Sequence, residues 1–227
     1  MATAALIIYL VWAALAFGLR SWVQWRRTGD AGFRGSGLRP GSMQWWVRLL
    51  FTSAMVIGAA GPIAALAGLA PIDVLDRPVV QVAGAVLALG GVAATLAAQT
   101  SMGASWRIGV DEAERTALVT TGAFALARNP IFTAMMATAT GLTAMVPNPV
   151  SLFGLLLTVL AIQLQVRVVE EPYLQRVHGD AYARYAAAVG RFLPGLGHLR
   201  SPLRHRPHHT PAPADEPPSV SDMSADR

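Results

Sequence analysis

The strongest constraint on this chain is a set of five apolar runs, each near the roughly 20 residues that an α-helix needs to cross a bilayer. They extend from Thr3 to Leu19, Trp45 to Ala70, Pro78 to Gln99, Pro130 to Val146 and Val150 to Val166. In lipid, backbone N–H and C=O groups have no water to bond, so such runs must satisfy themselves as helices. Only 14% of the 227 residues are charged, against about 25% in soluble domains, which excludes an ordinary water-soluble globule. The first run has no basic start and no clear small-residue cleavage site, and arginines follow it, so it reads as a span and not as a secretory signal. The expected fold is all-α: a multi-pass membrane bundle of about five transmembrane helices with a cytoplasmic C-terminal amphipathic helix. Three regions are expected: residues 1–99 as an N-terminal three-helix membrane region, 100–198 as a core of interfacial segment, helical hairpin and interfacial helix, and 199–227 as a disordered tail.

Charge distribution sets the expected orientation. All 18 Lys and Arg residues are arginine. Arg20, Arg26, Arg27, Arg34 and Arg39 follow the first span against a single Asp30, whereas the connection from Pro71 to Arg77 carries Asp73 and Asp76, and the turn Pro147-Asn148-Pro149 carries no charge. Basic loops stay cytoplasmic. With five spans, 17 of the 18 arginines fall on the cytoplasmic side, the N-terminus lies outside and the C-terminus inside. Trp22, Trp25, Trp45, Trp46 and Trp106 fall near the predicted cytoplasmic interfaces, as an aromatic belt does. The pI of about 10.6 thus reports membrane orientation and not nucleic-acid binding.

Several chemistries are disfavoured. The absence of cysteine removes disulfides, thiolate metal sites and a cysteine nucleophile. No carboxylate or arginine lies inside a span except Arg48 at an edge, unlike an ion or proton pathway. His178, His198, His205, His208 and His209 all lie outside the spans, which excludes a membrane haem held by paired histidines. The cluster from His205 to His209 sits among Pro, Ser, Asp and Glu and is read as tail, not as a metal site. No metal is expected. Small residues such as Gly84, Gly90 and Gly91 are expected to let helices approach closely, and Gly61-Pro62 to kink the second span.

Polar chemistry concentrates in Thr100–Asn129 and Arg167–Pro194. The first segment mixes Trp106, Arg107, Asp111, Glu112, Glu114 and Arg115 with small and apolar residues. It then runs through Leu118-Val119-Thr120-Thr121-Gly122-Ala123-Phe124 into Arg128-Asn129-Pro130. Proline suits the first turn of a helix, so the fourth span starts there with its positive end beside Arg128 and Asn129, a suitable place for a carboxylate or phosphate. In the second segment Arg167 precedes Glu170 by three residues and Glu171 by four, which would put all three on one helix face. A break at Gly179 and the apolar spacing of Tyr182, Tyr185, Val189 and Phe192 predict an interfacial helix.

Taken together, these pieces resemble the isoprenylcysteine carboxyl methyltransferase family of integral-membrane methyltransferases and its bacterial relatives. The likeness spans about Thr116 to Pro194: Leu118 to Phe124, Arg128-Asn129-Pro130-Ile131-Phe132, a helical hairpin, Glu170-Glu171 with Leu174, His178-Gly179 before Tyr182 and Tyr185, and Phe192-Leu193-Pro194. It implies S-adenosylmethionine as cofactor, with Leu118, Val119, Phe124, Arg128, Asn129, Pro130 and Phe132 around it and Glu170 at its polar end. It further implies that Arg167 meets an anionic, lipophilic acceptor, so that Arg167 and Glu170 are the expected catalytic pair. Asn129, Phe132 and Ala134 stand where that family has a histidine, a tyrosine and a glycine, and Arg167 is displaced by one position. Two other readings stay open at this level: an NADPH-dependent reductase of a lipophilic enone, since sterol reductases share the hairpin arrangement, and a catalytically inactive membrane scaffold.

Overall fold

A computed structural model describes residues 1–32, 38–103 and 117–199. The expectations made for Arg34, for Trp106 and its charged neighbours Arg107 to Arg115, and for the tail with His205, His208 and His209 lie outside these residues. Among the described residues the chain is all-helical, without a strand. Helix α1 spans Ala2–Thr28, with one π-turn at Ala14–Leu19, and ends where Gly29 adopts a left-handed φ of 76°. It therefore runs nine residues beyond the predicted span, carrying Trp22 and Trp25, both more than half exposed, past its apolar part.

Helix α2 is Met43–Leu66, and the Ser42 hydroxyl accepts from the Trp45 amide to cap it. Pro62 is accommodated inside it. Helix α3 is Pro78–Ser101, α4 is Pro130–Met145 and α5 is Pro149–Leu164, each beginning with proline at its first turn. A π-turn at Gln165–Glu170 joins α5 to α6, Glu171–Ala188, giving 40 residues of helix that are broken by a kink at Gly179, whose φ of 49° is non-helical. Four stretches are long and apolar enough to cross a membrane; α4, with 16 residues, is the short one. At about 1.5 Å per residue it rises about 24 Å, below the roughly 30 Å of a hydrocarbon core. The expectation of about five spans is met with this difference.

The first turn of α4 follows directly on buried Arg128 and half-buried Asn129. What holds α4 there is close backbone contact with α3. A Cβ at Gly84 would come within 2.7 Å of the Gly141 carbonyl oxygen, and one at Gly91 within 2.7 Å of the Thr138 amide nitrogen. Gly90, in contrast, faces open space. Without a hydrophobic driving force between helices in lipid, such contact is what supplies their attraction. Gly141→Val would drive a side chain into the Ala88 backbone; overpacking of this kind costs about 1–3 kcal/mol or more, and the mutant should unfold at lower temperature in detergent. An unchanged midpoint would contradict the α3–α4 packing. On the other side of the bundle, Asn148 caps α5 by accepting from the Ser151 amide at 2.9 Å and donates to the Gly61 carbonyl at 3.0 Å, which ties the α4–α5 turn to α2.

Candidate active site

The polar residues predicted at the start of α4 gather in a buried network. Arg128 lies beneath the surface, its side chain only 1% exposed. A buried guanidinium needs a counter-charge and partners for its donors. Its Nη1 donates to Glu171 Oε1 at 2.9 Å and to the Tyr182 hydroxyl at 2.9 Å, and its Nη2 donates to the Gly197 carbonyl at 2.8 Å. Arg191 supplies a second cation, donating from Nε to Glu171 Oε1 at 2.7 Å and from Nη2 to Oε2 at 3.0 Å, a two-pronged pairing in which the planar guanidinium matches the carboxylate. Two cations share one carboxylate, so the core of the network carries an excess positive charge.

The segment after α6 is laid across the α4 N-terminus by backbone bonds. The Arg128 and Asn129 amides donate to the Gly190 and Arg191 carbonyls at 2.9 and 3.0 Å. Asn129 Nδ2 donates to the same Arg191 oxygen, and the Thr133 hydroxyl to Phe192. Gly190 allows this fold-back, since a side chain there would run into Leu193 and Leu196. On the approach to α4, Phe124 sits in a 3-10 turn, Gly122–Ala125, and its carbonyl accepts from the Tyr185 hydroxyl at 2.6 Å. Thus Phe124, Arg128 and Asn129 of the predicted set meet α6 or the returning strap of residues 189–199, and Pro130 opens α4 beside them.

The other predicted residues behave differently. Leu118 and Val119 lie half-buried before the 3-10 turn. Phe132 turns toward α2, its ring 6.4 Å from that of Phe51. The shared face expected for Arg167, Glu170 and Glu171 is not formed. The reason is the π-turn: its wider repeat makes residues five apart neighbours, so Gln165 Nε2 donates to Glu170 Oε1 at 3.1 Å. Exposed Arg167 bonds back to Gln163 at 2.9 Å, while Glu171 alone enters the buried network. Sequence reading passed over Arg191 as a partner of Glu171; it fell inside the predicted interfacial helix, which in the structure ends at Ala188 and leaves Arg191 in the returning segment.

Burial pushes the Tyr185 hydroxyl up to about 12 and also raises that of Tyr182, opposed in both by the nearby Arg128 charge. An acid whose folded pKa lies above the ordinary value of about 10 favours folding in its neutral form. Stability from this source is complete below pH 10 and is lost as pH rises through the window from about 10 to 12. The unfolding midpoint of the wild type should therefore fall across that window, and in Tyr185→Phe it should fall less steeply; identical slopes would show that Tyr185 plays no part.

Residues 79–181 match the phospholipid methyltransferase family, integral-membrane methyltransferases related to the isoprenylcysteine carboxyl methyltransferases. The match runs from α3 through the hairpin into α6 and thus contains Arg128, Asn129, Glu170 and Glu171, but not Arg191. No curated protein and no solved structure matches the chain.

Proposed function

With residues 79–181 those of a phospholipid methyltransferase-family protein, we propose that the chain is an S-adenosylmethionine-dependent methyltransferase acting on a lipophilic acceptor that reaches it from the bilayer. The observation that carries this reading is the strap of residues 189–199 closed over the α4 N-terminus, which frames a polar site at one end of an otherwise apolar bundle. The residues present suit the cofactor in kind. Asn129 makes no side-chain cap to α4, so the first-turn amides of that helix remain donors for a carboxylate. Half-buried Glu170 is a partner for an ammonium, and Phe124 with Pro130 gives apolar surface. Leu118, Val119 and Phe132 complete the apolar side.

When bound there, S-adenosylmethionine would supply an electrophilic methyl group on a sulfonium, with the thioether as leaving group. The chain's own part is to hold donor and acceptor in line and to exclude water. Glu170 anchors the cofactor, exposed Arg167 attracts an anionic acceptor, and the Arg128–Glu171–Arg191 network keeps the strap in place. Arg128 has its Nη donors engaged within the protein, so its role is positioning. Calorimetric titration of detergent-solubilised protein with S-adenosylmethionine should give saturable binding. No heat at millimolar cofactor in a folded sample would end the proposal, and stabilisation by NADPH in its place would favour the reductase.

The same reading puts this site on the cytoplasmic face, with the N-terminus outside. The cysteine-free chain allows a direct check: Val74→Cys, in the exposed α2–α3 connection, should react with an impermeant maleimide on intact cells, and Arg39→Cys should not. The opposite pattern would invert the topology.

A further inference from the structure

Between α1, α2, α4 and α5 the bundle encloses a cavity of about 30 Å³, remote from the site at the α4 N-terminus. Tyr9 and Trp12 of α1, Pro62 of α2, Thr138 of α4, and Ser151 and Thr158 of α5 line it. Thr138 lies about 12 Å along α4 from Pro130 at 1.5 Å per residue. Trp12 is 3% exposed and Ser151 6%, yet neither the Trp12 indole Nε1 nor the Ser151 hydroxyl has a hydrogen-bond partner. A buried group left unpaired costs about 1–3 kcal/mol, and lipid offers no bond in exchange.

The other polar atoms of the lining are already committed as donors. The Thr138 and Thr158 hydroxyls donate to the Ala134 and Gly154 carbonyls of their own helices at 3.0 and 2.8 Å, the Thr143 hydroxyl donates to the Ser151 carbonyl at 3.3 Å, and the Tyr9 hydroxyl donates to the Met55 carbonyl. Each threonine oxygen keeps lone pairs. The walls thus present a donor at Trp12, a donor and acceptor at Ser151, acceptors at Thr138, Thr143 and Thr158, and no carboxylate or cation. We propose that this cavity is a binding site for a neutral hydroxyl group, which accepts from Trp12 Nε1–H and shares a second hydrogen bond with Ser151. A carbonyl oxygen could accept from both Trp12 and Ser151 but would give nothing to the threonine oxygens, whereas a hydroxyl accepts and donates, and a charged group would stand uncompensated at membrane depth. The volume suits about two water molecules, at roughly 10–15 Å³ each, or the hydroxyl end of a slender membrane-dissolved alcohol. These are two sources of one chemistry, and neither depends on the methyltransferase reading.

Solid-state NMR of the full chain, labelled with ¹⁵N-tryptophan in deuterated lipid bilayers, separates them. The Trp12 indole signal is assigned by its loss in Trp12→Phe. Magnetisation reaching it from water protons supports a trapped water, and magnetisation from protonated 1-hexanol added to the bilayer supports an alcohol site. Either transfer should weaken severalfold in Ser151→Ala. An indole proton of the folded wild type that receives magnetisation from neither source overturns the proposal, as does full transfer in folded Ser151→Ala.

Discussion

Glu171→Ala should be among the most destabilising single substitutions in the chain. Removing this carboxylate leaves buried Arg128 and partly buried Arg191 side by side without the counter-charge they share. Breaking a buried pair from one side typically costs about 3–5 kcal/mol, because the remaining charge keeps its desolvation cost and loses its attraction. Here two cations are left, so the upper end applies. At about 2–4 °C per kcal/mol for a chain of this size, the thermal midpoint in detergent should drop on the order of 10 °C. Arg191→Met should cost less, since Arg128 and Glu171 remain as a neutral pair joined by Tyr182 and Gly197. The order of stabilities, wild type above Arg191→Met above Glu171→Ala, distinguishes a charge network from simple packing. Equal losses in the two variants would count against it.

That order could not be read from the sequence, although much else could. Span positions, proline starts and the contacts at Gly84 and Gly91, though not one at Gly90, follow from hydropathy, from proline's missing donor and from absent side chains. These signals are local or involve one residue type. The failure at Arg167, Glu170 and Glu171 has a definite cause: i+3 and i+4 spacing predicts neighbours only while the helix repeat stays near 3.6 residues per turn. The π-turn Gln165–Glu170 changes the repeat at that point, and no residue in it announces the change. Arg191 was missed for another reason. Its partner lies 20 residues earlier, and only the fold-back permitted at Gly190 brings them together. The remainder of the site, meaning which residues touch a bound cofactor, depends on shape around Leu118, Val119 and Phe132 that sequence spacing does not encode.

The π-turn also gives adjacent carboxylates opposite expected phenotypes, which makes Glu170→Ala the most discriminating test of the proposed function. Glu170 is half-buried and accepts from Gln165 within its own turn, and Arg128 and Arg191 bond to Glu171 and not to it, so its loss leaves their pairing intact. The protein should fold with a midpoint close to that of the wild type. Binding of S-adenosylmethionine should nonetheless weaken, since a charge-assisted hydrogen bond contributes about 1.5–3 kcal/mol. At 1.4 kcal/mol per tenfold, that is on the order of a 10- to 100-fold rise in Kd by calorimetry, with methyl transfer to lipid-soluble acceptors falling in parallel. Glu170→Gln should recover part of the affinity, because the amide oxygen still accepts while the charge is gone. A Glu170→Ala protein that binds the cofactor as tightly as the wild type would remove Glu170 from the site. The frame formed by the strap and α4 would then have to hold the cofactor through backbone donors at the α4 N-terminus, a reading in which the Ile131 and Phe132 amides after Pro130, and not a carboxylate, carry the affinity.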